Sequence, residues 1–336
     1  MAPRVLTVAQ AINEAIRAEM RDQPELILLG QDIGAYGGTF GVYRGLYEEF
    51  RPDRVRDGPL CESATVGFAL GLALAGMRAI VEIEFMDFSM LALDQIVNQA
   101  AKMHYFYGGQ VTVPLVVRTP IVSRIGMGPQ HSQSLESWFM HIPGLKIAIP
   151  TSAYDAKGLM HAALRDRNPV IFIENVKLYQ RSEPVPEEPY VIPFGHARVL
   201  REGAHVTLVA ISGTVPHALA AADEVEQEGV TVEVIDPRTL APLDLDTIVS
   251  SVRKTRRLLI THDAHRTCGV AAEIAQQVSE EAFQYLDAPV RRVTGLDAPI
   301  PSGPLHKHVV PTRDSLAEAL RGLAAGRAHD FATIEE

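Results

Sequence analysis

Twice along this chain, apolar runs of strand length alternate with amphipathic segments of helix length, and one proline-rich stretch separates the two series. That alternation constrains the fold more than any other feature. Strands joined through helices pair side by side in a mostly parallel sheet covered on both faces. In the first series Thr7-Val-Ala-Gln10 forms a capping box that opens a helix to about Met20. Residues 26–29, 79–83, 115–117, 146–149 and 170–173 read as strands. Residues 64–75 and 87–104 read as helices, and Thr151 or Ser152 caps another that runs to about Arg165.

The break comes at residues 180–193, which hold Pro184, Pro186, Pro189 and Pro193 among three glutamates. Proline lacks the N–H that a helix interior or a central strand needs, so this stretch is neither. After it come strands at 206–211, 230–235, 258–261 and 290–293, with helices at 216–228, 244–252, 269–282 and 313–323. The predicted fold class is therefore α/β with two domains, each a mostly parallel sheet flanked by helices. The predicted ranges are residues 1–180, a linker at 181–194, and residues 195–336. A length of 336 residues agrees with two domains.

Composition narrows the function. A net charge of −10 lacks the electrostatic footprint of a general nucleic-acid binder. Two cysteines, Cys61 and Cys268, give no disulfide framework and fit a reducing compartment. The amphipathic N-terminus has no secretory apolar core. The most apolar run, residues 64–81, is broken by Arg78. Its uncharged part, residues 64–77, falls short of the ~20 residues that span a bilayer. It reads as a buried helix. A cytoplasmic protein with no membrane or nucleic-acid partner is expected.

Two residues stand out for chemistry. Glu62 is a lone carboxyl beside a Gly/Ala-rich helix. It is either a first-turn acid favoured by the helix dipole or a carboxyl placed among apolar groups to exchange a proton. Gly67, Gly71 and Ala75 recur every fourth residue, a spacing that lets backbones approach closely. His131 follows Gly126, Gly128 and Pro129, which places it on a loop, and Ser132, Gln133 and Ser134 follow with groups able to orient an imidazole. His141, before Ile142-Pro143, reads as a helix end. A dinucleotide fingerprint, a P-loop, zinc spacing and a nucleophile elbow at Ser212 are all missing.

Taken in order, PLCESATVGFALG, EFMDFSMLALDQIVNQAAK, QHSQS, HIPGLKIAIP, YDAKGL, RNPVIFIE, the proline-rich linker and EVIDPRTLAPLD resemble the β subunits of the E1 component of 2-oxo acid dehydrogenase complexes. The resemblance covers almost the whole chain. It implies a transketolase-like pyrimidine-binding domain followed by a transketolase C-terminal-like domain that serves subunit assembly and E2 docking. It also implies thiamine diphosphate with Mg2+ as cofactor and an α2β2 heterotetramer with a separate E1 α subunit. The activity implied is oxidative decarboxylation of a 2-oxo acid and transfer of the acyl group to lipoamide on the E2 acyltransferase, through its subunit-binding and lipoyl domains.

Carried over residue by residue, Glu62 matches the glutamate that shares a proton with N1′ of the cofactor's aminopyrimidine. Phe88 matches the aromatic that stacks on that ring, with Phe85 as its rival. Leu60 matches a residue lining the same pocket. His131 matches the active-site histidine, whose imidazole suits proton transfer near neutral pH. A structural K+ held by backbone carbonyls is implied at Val113, Leu115, Val116, Ala163, Asp166 and Asn168. The Gly-Asp-Gly signature for magnesium and diphosphate is missing, so the α subunit is expected to hold that half of the cofactor.

The sequence departs from the family pattern at Arg124 and Met127, where relatives often have glycine, and His262, His265 and Arg266 receive no role. FMDFSM and NQAAK favour the pyruvate-type subgroup, close to the acetoin type, while EIEF and PLCE also resemble branched-chain enzymes. Two further readings stand beside these: a transketolase-like carboligase, and an E2-docking scaffold without catalysis.

Overall fold

The computed structural model describes residues 4–326. Residues 1–3 and 327–336, which the predicted domain ranges include, lie outside them. The elements begin with β1 (Val5–Thr7), α1 (Val8–Asp22), β2 (Leu26–Gly30), α2 (Leu46–Arg54), β3 (Val55–Asp57), α3 (Glu62–Leu74) and β4 (Arg78–Glu82). They continue with α4 (Met103–Phe106), β5 (Leu115–Ile121), α5 (Glu136–Met140), β6 (Lys146–Ala148), α6 (Ala153–Arg165), β7 (Val170–Asn175) and β8 (Ser182–Pro184). Then follow β9 (Arg198–Arg201), β10 (Val206–Ala210), α7 (Val215–Glu226), β11 (Val232–Asp236), β12 (Thr239–Ala241) and α8 (Leu245–Thr255). The last are β13 (Leu258–His265), α9 (Val270–Ala282), β14 (Arg291–Gly295) and α10 (Arg313–Ala324).

Two compact units result. The first runs to His196 and takes in Arg238–Pro242 and Pro299–Gly303. Its seven-stranded sheet has the order β12-β6-β7-β5-β4-β2-β3. Only β12 runs antiparallel to its neighbour. The Thr7–Gln10 capping box forms as the sequence predicts and starts α1, a feature worth about 1 kcal/mol. Val8, Ala11, Ile12, Ala15, Ile16 and Met20 then lie on one face, all buried, as a 3.6-residue period requires. That face packs on α6.

β5 lies in the middle of this sheet, and all seven of its residues are buried. One of them is Arg118. Its guanidinium meets Glu82 and Glu174, and it donates to the hydroxyls of Tyr43 at 2.8 Å and Tyr179 at 2.7 Å. Tyr179 donates in turn to Glu174 at 2.6 Å. A charge this deep persists because its partners are equally deep.

Two sequence expectations need correction. The segment 87–104 is not one α-helix. It winds tightly over Met86–Ala92, widely over Asp94–Ala100, and regains α-helical geometry only at α4. The tight part buries Met86, Asp87 and Ser89 together, with Ser89 donating to the Met86 carbonyl at 2.6 Å. Second, the apolar helix α3 is buried on one side only: Val66, Ala69, Leu70 and Ala73 are covered, while Phe68 and Leu74 are exposed. The proline-rich stretch forms no helix and no central strand, as the sequence predicts, and it is tied down. β8 pairs antiparallel with β1, and the buried Lys157 donates to the carbonyls of Pro186 at 2.6 Å and Glu187 at 2.9 Å.

The second unit comprises Ala197–Pro237, Leu243–Ala298 and, among the described residues, those from Pro304 to Gly326. Its sheet has the order β14-β13-β10-β11-β9, parallel except for β9. α7 packs with α10, and α8 with α9. His262 is buried on β13, and His265 Nδ1 lies 2.6 Å from the Leu296 carbonyl. Among the described residues no helix is long and apolar enough to cross a membrane.

Candidate active site

The carboxyl ends of β2 and β4 open into the site. Open parallel sheets bind ligands there because loops and helix N-termini converge at those ends. Glu62 is the first residue of α3 and the acid of its first turn. Cys61 before it makes no side-chain cap. The positive end of the helix therefore acts on Glu62 itself. Glu62 is half-buried, and no other described residue gives its carboxyl a hydrogen bond or an ion pair. Leu60, two residues before it, is 72% exposed. In this chain alone it lines no enclosed wall.

The aromatic residues form a cluster with the histidine. The His131 ring lies 5.0 Å from Phe85 and 5.3 Å from Phe88, edge-on to both. Phe85 and Phe88 are 5.8 Å apart, also edge-on. Phe85 is buried and is braced by Phe40 at 5.7 Å. Phe88 is half-buried, with ring area left for a further partner. Between the two candidates for a stacking surface, Phe85 is packing and Phe88 is the one still open.

Two carboxyls that sequence reasoning passed over belong to the same neighbourhood. Glu84 follows β4 and accepts a hydrogen bond from the Thr39 hydroxyl. Burial raises its pKa, the Asp32 and Glu62 carboxyls raise it further, and His131 opposes them. Glu62, Glu84, Asp32 and His131 are therefore within electrostatic reach of one another. Asp87 is buried, and burial raises its pKa too. It accepts from the Gln133 amide N–H at 3.2 Å and from the Gln133 side chain at 2.9 Å. Gln133 thus bonds Asp87, where the sequence suggested that it would orient the imidazole. Arg124 is buried, and Met127 forms an isolated bridge with Ser302.

The positions named for a monovalent cation lie at or just after the end of α6 and at or just before the start of β5. The Val113 amide donates to the Arg167 carbonyl at 3.0 Å, and the Asn168 amide to the Asp166 carboxylate at 2.9 Å. Arg78 already donates to the carbonyls of Leu164 at 3.0 Å and Asp166 at 2.9 Å. No group of three His, Cys, Asp or Glu side chains among the described residues could hold a metal.

Residues 4–182 match the pyrimidine-binding domain of transketolase, and residues 195–316 match the transketolase C-terminal domain. A split-gene transketolase solved as an inactive β4 tetramer superposes with a TM-score of 0.77 at 20% identity, over 96% of this chain and 99% of that one. Fold and domain order define a transketolase-type chain. Among sequence relatives, the pyruvate dehydrogenase E1 component subunit beta of Rickettsia felis is 45% identical, over 94% of this chain and 97% of its own. Subunit beta-2 of the mitochondrial enzyme of Oryza sativa subsp. japonica is 43% identical, over 95% and 86%. The acetoin:2,6-dichlorophenolindophenol oxidoreductase subunit beta of Cupriavidus necator is 42% identical, over 97% and 99%. The chain belongs to the family of E1 β subunits of 2-oxo acid dehydrogenase complexes, with the acetoin-type β subunits as near relatives. It is an oxidoreductase component, and the family depends on thiamine diphosphate and pairs each β subunit with an α subunit.

Proposed function

We propose that this chain and a separate α subunit form an α2β2 pyruvate-type E1 whose β chain contributes the pyrimidine half of the cofactor site. The observation that carries the reading is the unpartnered, half-buried Glu62 carboxyl at the N-terminus of α3. A carboxyl left without a partner beside an open aromatic face suits a polar aromatic ring that offers a nitrogen at its edge. Thiamine diphosphate, when bound, supplies the electron sink that decarboxylation of a 2-oxo acid requires.

The rest of the work falls to this chain's own side chains. Glu62 holds a proton at the ring nitrogen. Phe88 gives the flat surface that orients the ring, with Phe85 supporting it from behind. Leu60, exposed in the isolated chain, becomes wall when the α subunit arrives. His131 moves a proton at the substrate carbonyl side or steadies the charge that forms there. Mg2+ and the diphosphate are assigned to the α subunit. A K+ ion would take carbonyls of Val113, Leu115, Val116, Ala163 and Asp166 together with Asn168, sharing the Asp166 carbonyl with Arg78. The acyl group passes to a lipoyl domain of E2, whose subunit-binding domain docks on the C-terminal domain. The −10 charge is compatible with a basic docking partner. Two free cysteines fit a cytoplasmic location.

Glu62→Gln in the reconstituted enzyme tests the reading. Turnover with pyruvate falls by orders of magnitude while the α2β2 assembly stays intact on sizing. Normal turnover would contradict it. Carbon–carbon ligation in an assay without a lipoyl acceptor would instead favour a carboligase.

A further inference from the structure

His131 sits on a loop, yet its ring is held edge-on to two phenylalanines, which demands that the loop itself be fixed. The fixing groups lie on both sides of the histidine. Before it, the Gly126 carbonyl accepts from the Gly303 amide at 2.8 Å, Met127 bridges Ser302, and the His131 amide donates to the Gly128 carbonyl at 3.2 Å. After it, the chain hangs on the tight turn at Met86–Ala92. Asp87 Oδ1 takes both the backbone and the side-chain N–H of Gln133, and the Leu135 amide donates to Met86 Sδ at 3.2 Å. The same turn carries Phe88, so ring and imidazole are referred to one piece of backbone. The second carboxylate oxygen of Asp87 is buried with no hydrogen-bond partner. Gln133 gives this buried acid both of its N–H bonds from another residue, and His131 lies within electrostatic reach of it.

We propose that Asp87, acting through Gln133, is a positioning residue that sets where the His131 imidazole stands relative to Phe88. The proposal rests on the reading of His131 as a reacting group. A misplacement of about 1 Å costs on the order of 100-fold in rate, so the clamp has a measurable consequence.

Two measurements on the full chain separate the possibilities. The first is hydrogen exchange of the isolated β chain. The second is steady-state kinetics of the reconstituted α2β2 enzyme. In Asp87→Ala, peptides spanning residues 128–135 lose protection while those from β4, β5 and β7 keep it, and kcat falls about 10- to 100-fold with KM little changed. Asp87→Asn keeps an acceptor for the Gln133 amide and restores most of both. Gln133→Ala, which leaves the carboxylate in place, loosens the same peptides, so the test stands even where Asp87→Ala folds poorly. Unchanged exchange at residues 128–135 in all three variants would overturn the proposal, as would loss of protection throughout the sheet in Gln133→Ala. Local loosening with full turnover would overturn the role of His131 and leave Glu62 untouched.

Discussion

The imidazole of His131 meets the ring of Phe88 edge-on, with 5.3 Å between centroids and 83° between planes. In chain order the two are far apart, on a glycine-containing loop and on a tight turn after β4. Only the parallel sheet brings them together, because the turn and the loop follow the adjacent strands β4 and β5. Phe88 is half-buried whereas Phe85 is buried, and that difference in burial separates the two rings.

Replacing Phe88 and replacing Phe85 should therefore have different signatures. Phe88→Leu weakens thiamine diphosphate binding to the reconstituted enzyme by about two- to tenfold, the range of an aromatic stacking contact, with the melting temperature nearly unchanged. Phe85→Ala empties a buried site and costs about 3–5 kcal/mol of stability. Calorimetric titration and thermal unfolding of the two variants, side by side, check the assignment. Equal effects of both on binding alone would show that the platform is misassigned.

Glu84 gives a pH signature. Its pKa in the folded chain is raised above the ordinary carboxyl value of 4.5, by burial first and then by Asp32 and Glu62. The folded state therefore keeps the Glu84 proton through a range in which the unfolded chain has lost it. Stability falls as pH rises from 4.5 through the folded value. Glu84→Gln removes that slope. The variant matches the parent chain near about pH 4 and melts higher than it at about pH 8. A difference that is constant with pH, or that reverses sign, would contradict the placement of Glu84 among these carboxyls.

Arg118 tests the core of the first unit. Arg118→Met removes the cation but leaves Glu82 and Glu174 buried, each 7% exposed or less. Breaking one side of a buried ion pair costs about 3–5 kcal/mol. Denaturant unfolding of the variant should show a loss of that size. Adding Glu82→Gln and Glu174→Gln should recover part of it, because the stranded charges are what is costly.

Much of this was legible in the sequence. The alternation of apolar runs and helices gave both sheets, and linear motifs picked out Glu62, Phe88 and His131. What stayed hidden was long-range or depended on helix winding. Asp87 and Gln133 are 46 residues apart, and nothing local pairs them. Arg118 reads as the end of a strand, since its partners Glu82 and Glu174 come from two other strands. Apolar periodicity at 87–104 cannot distinguish a regular helix from a tight turn followed by a wide one. The exposed half of α3 was also unreadable, because apolar composition says nothing about which face the fold leaves uncovered.

The most direct test of the central claim is a calorimetric titration of thiamine diphosphate with Mg2+, run on this chain alone and again with an α subunit present. The account predicts no measurable binding to the chain alone and stoichiometric binding to the mixture, because Glu62 and Phe88 hold only the pyrimidine half. Tight binding to the isolated chain would mean that it holds the diphosphate as well, and would contradict the division of the site between two subunits.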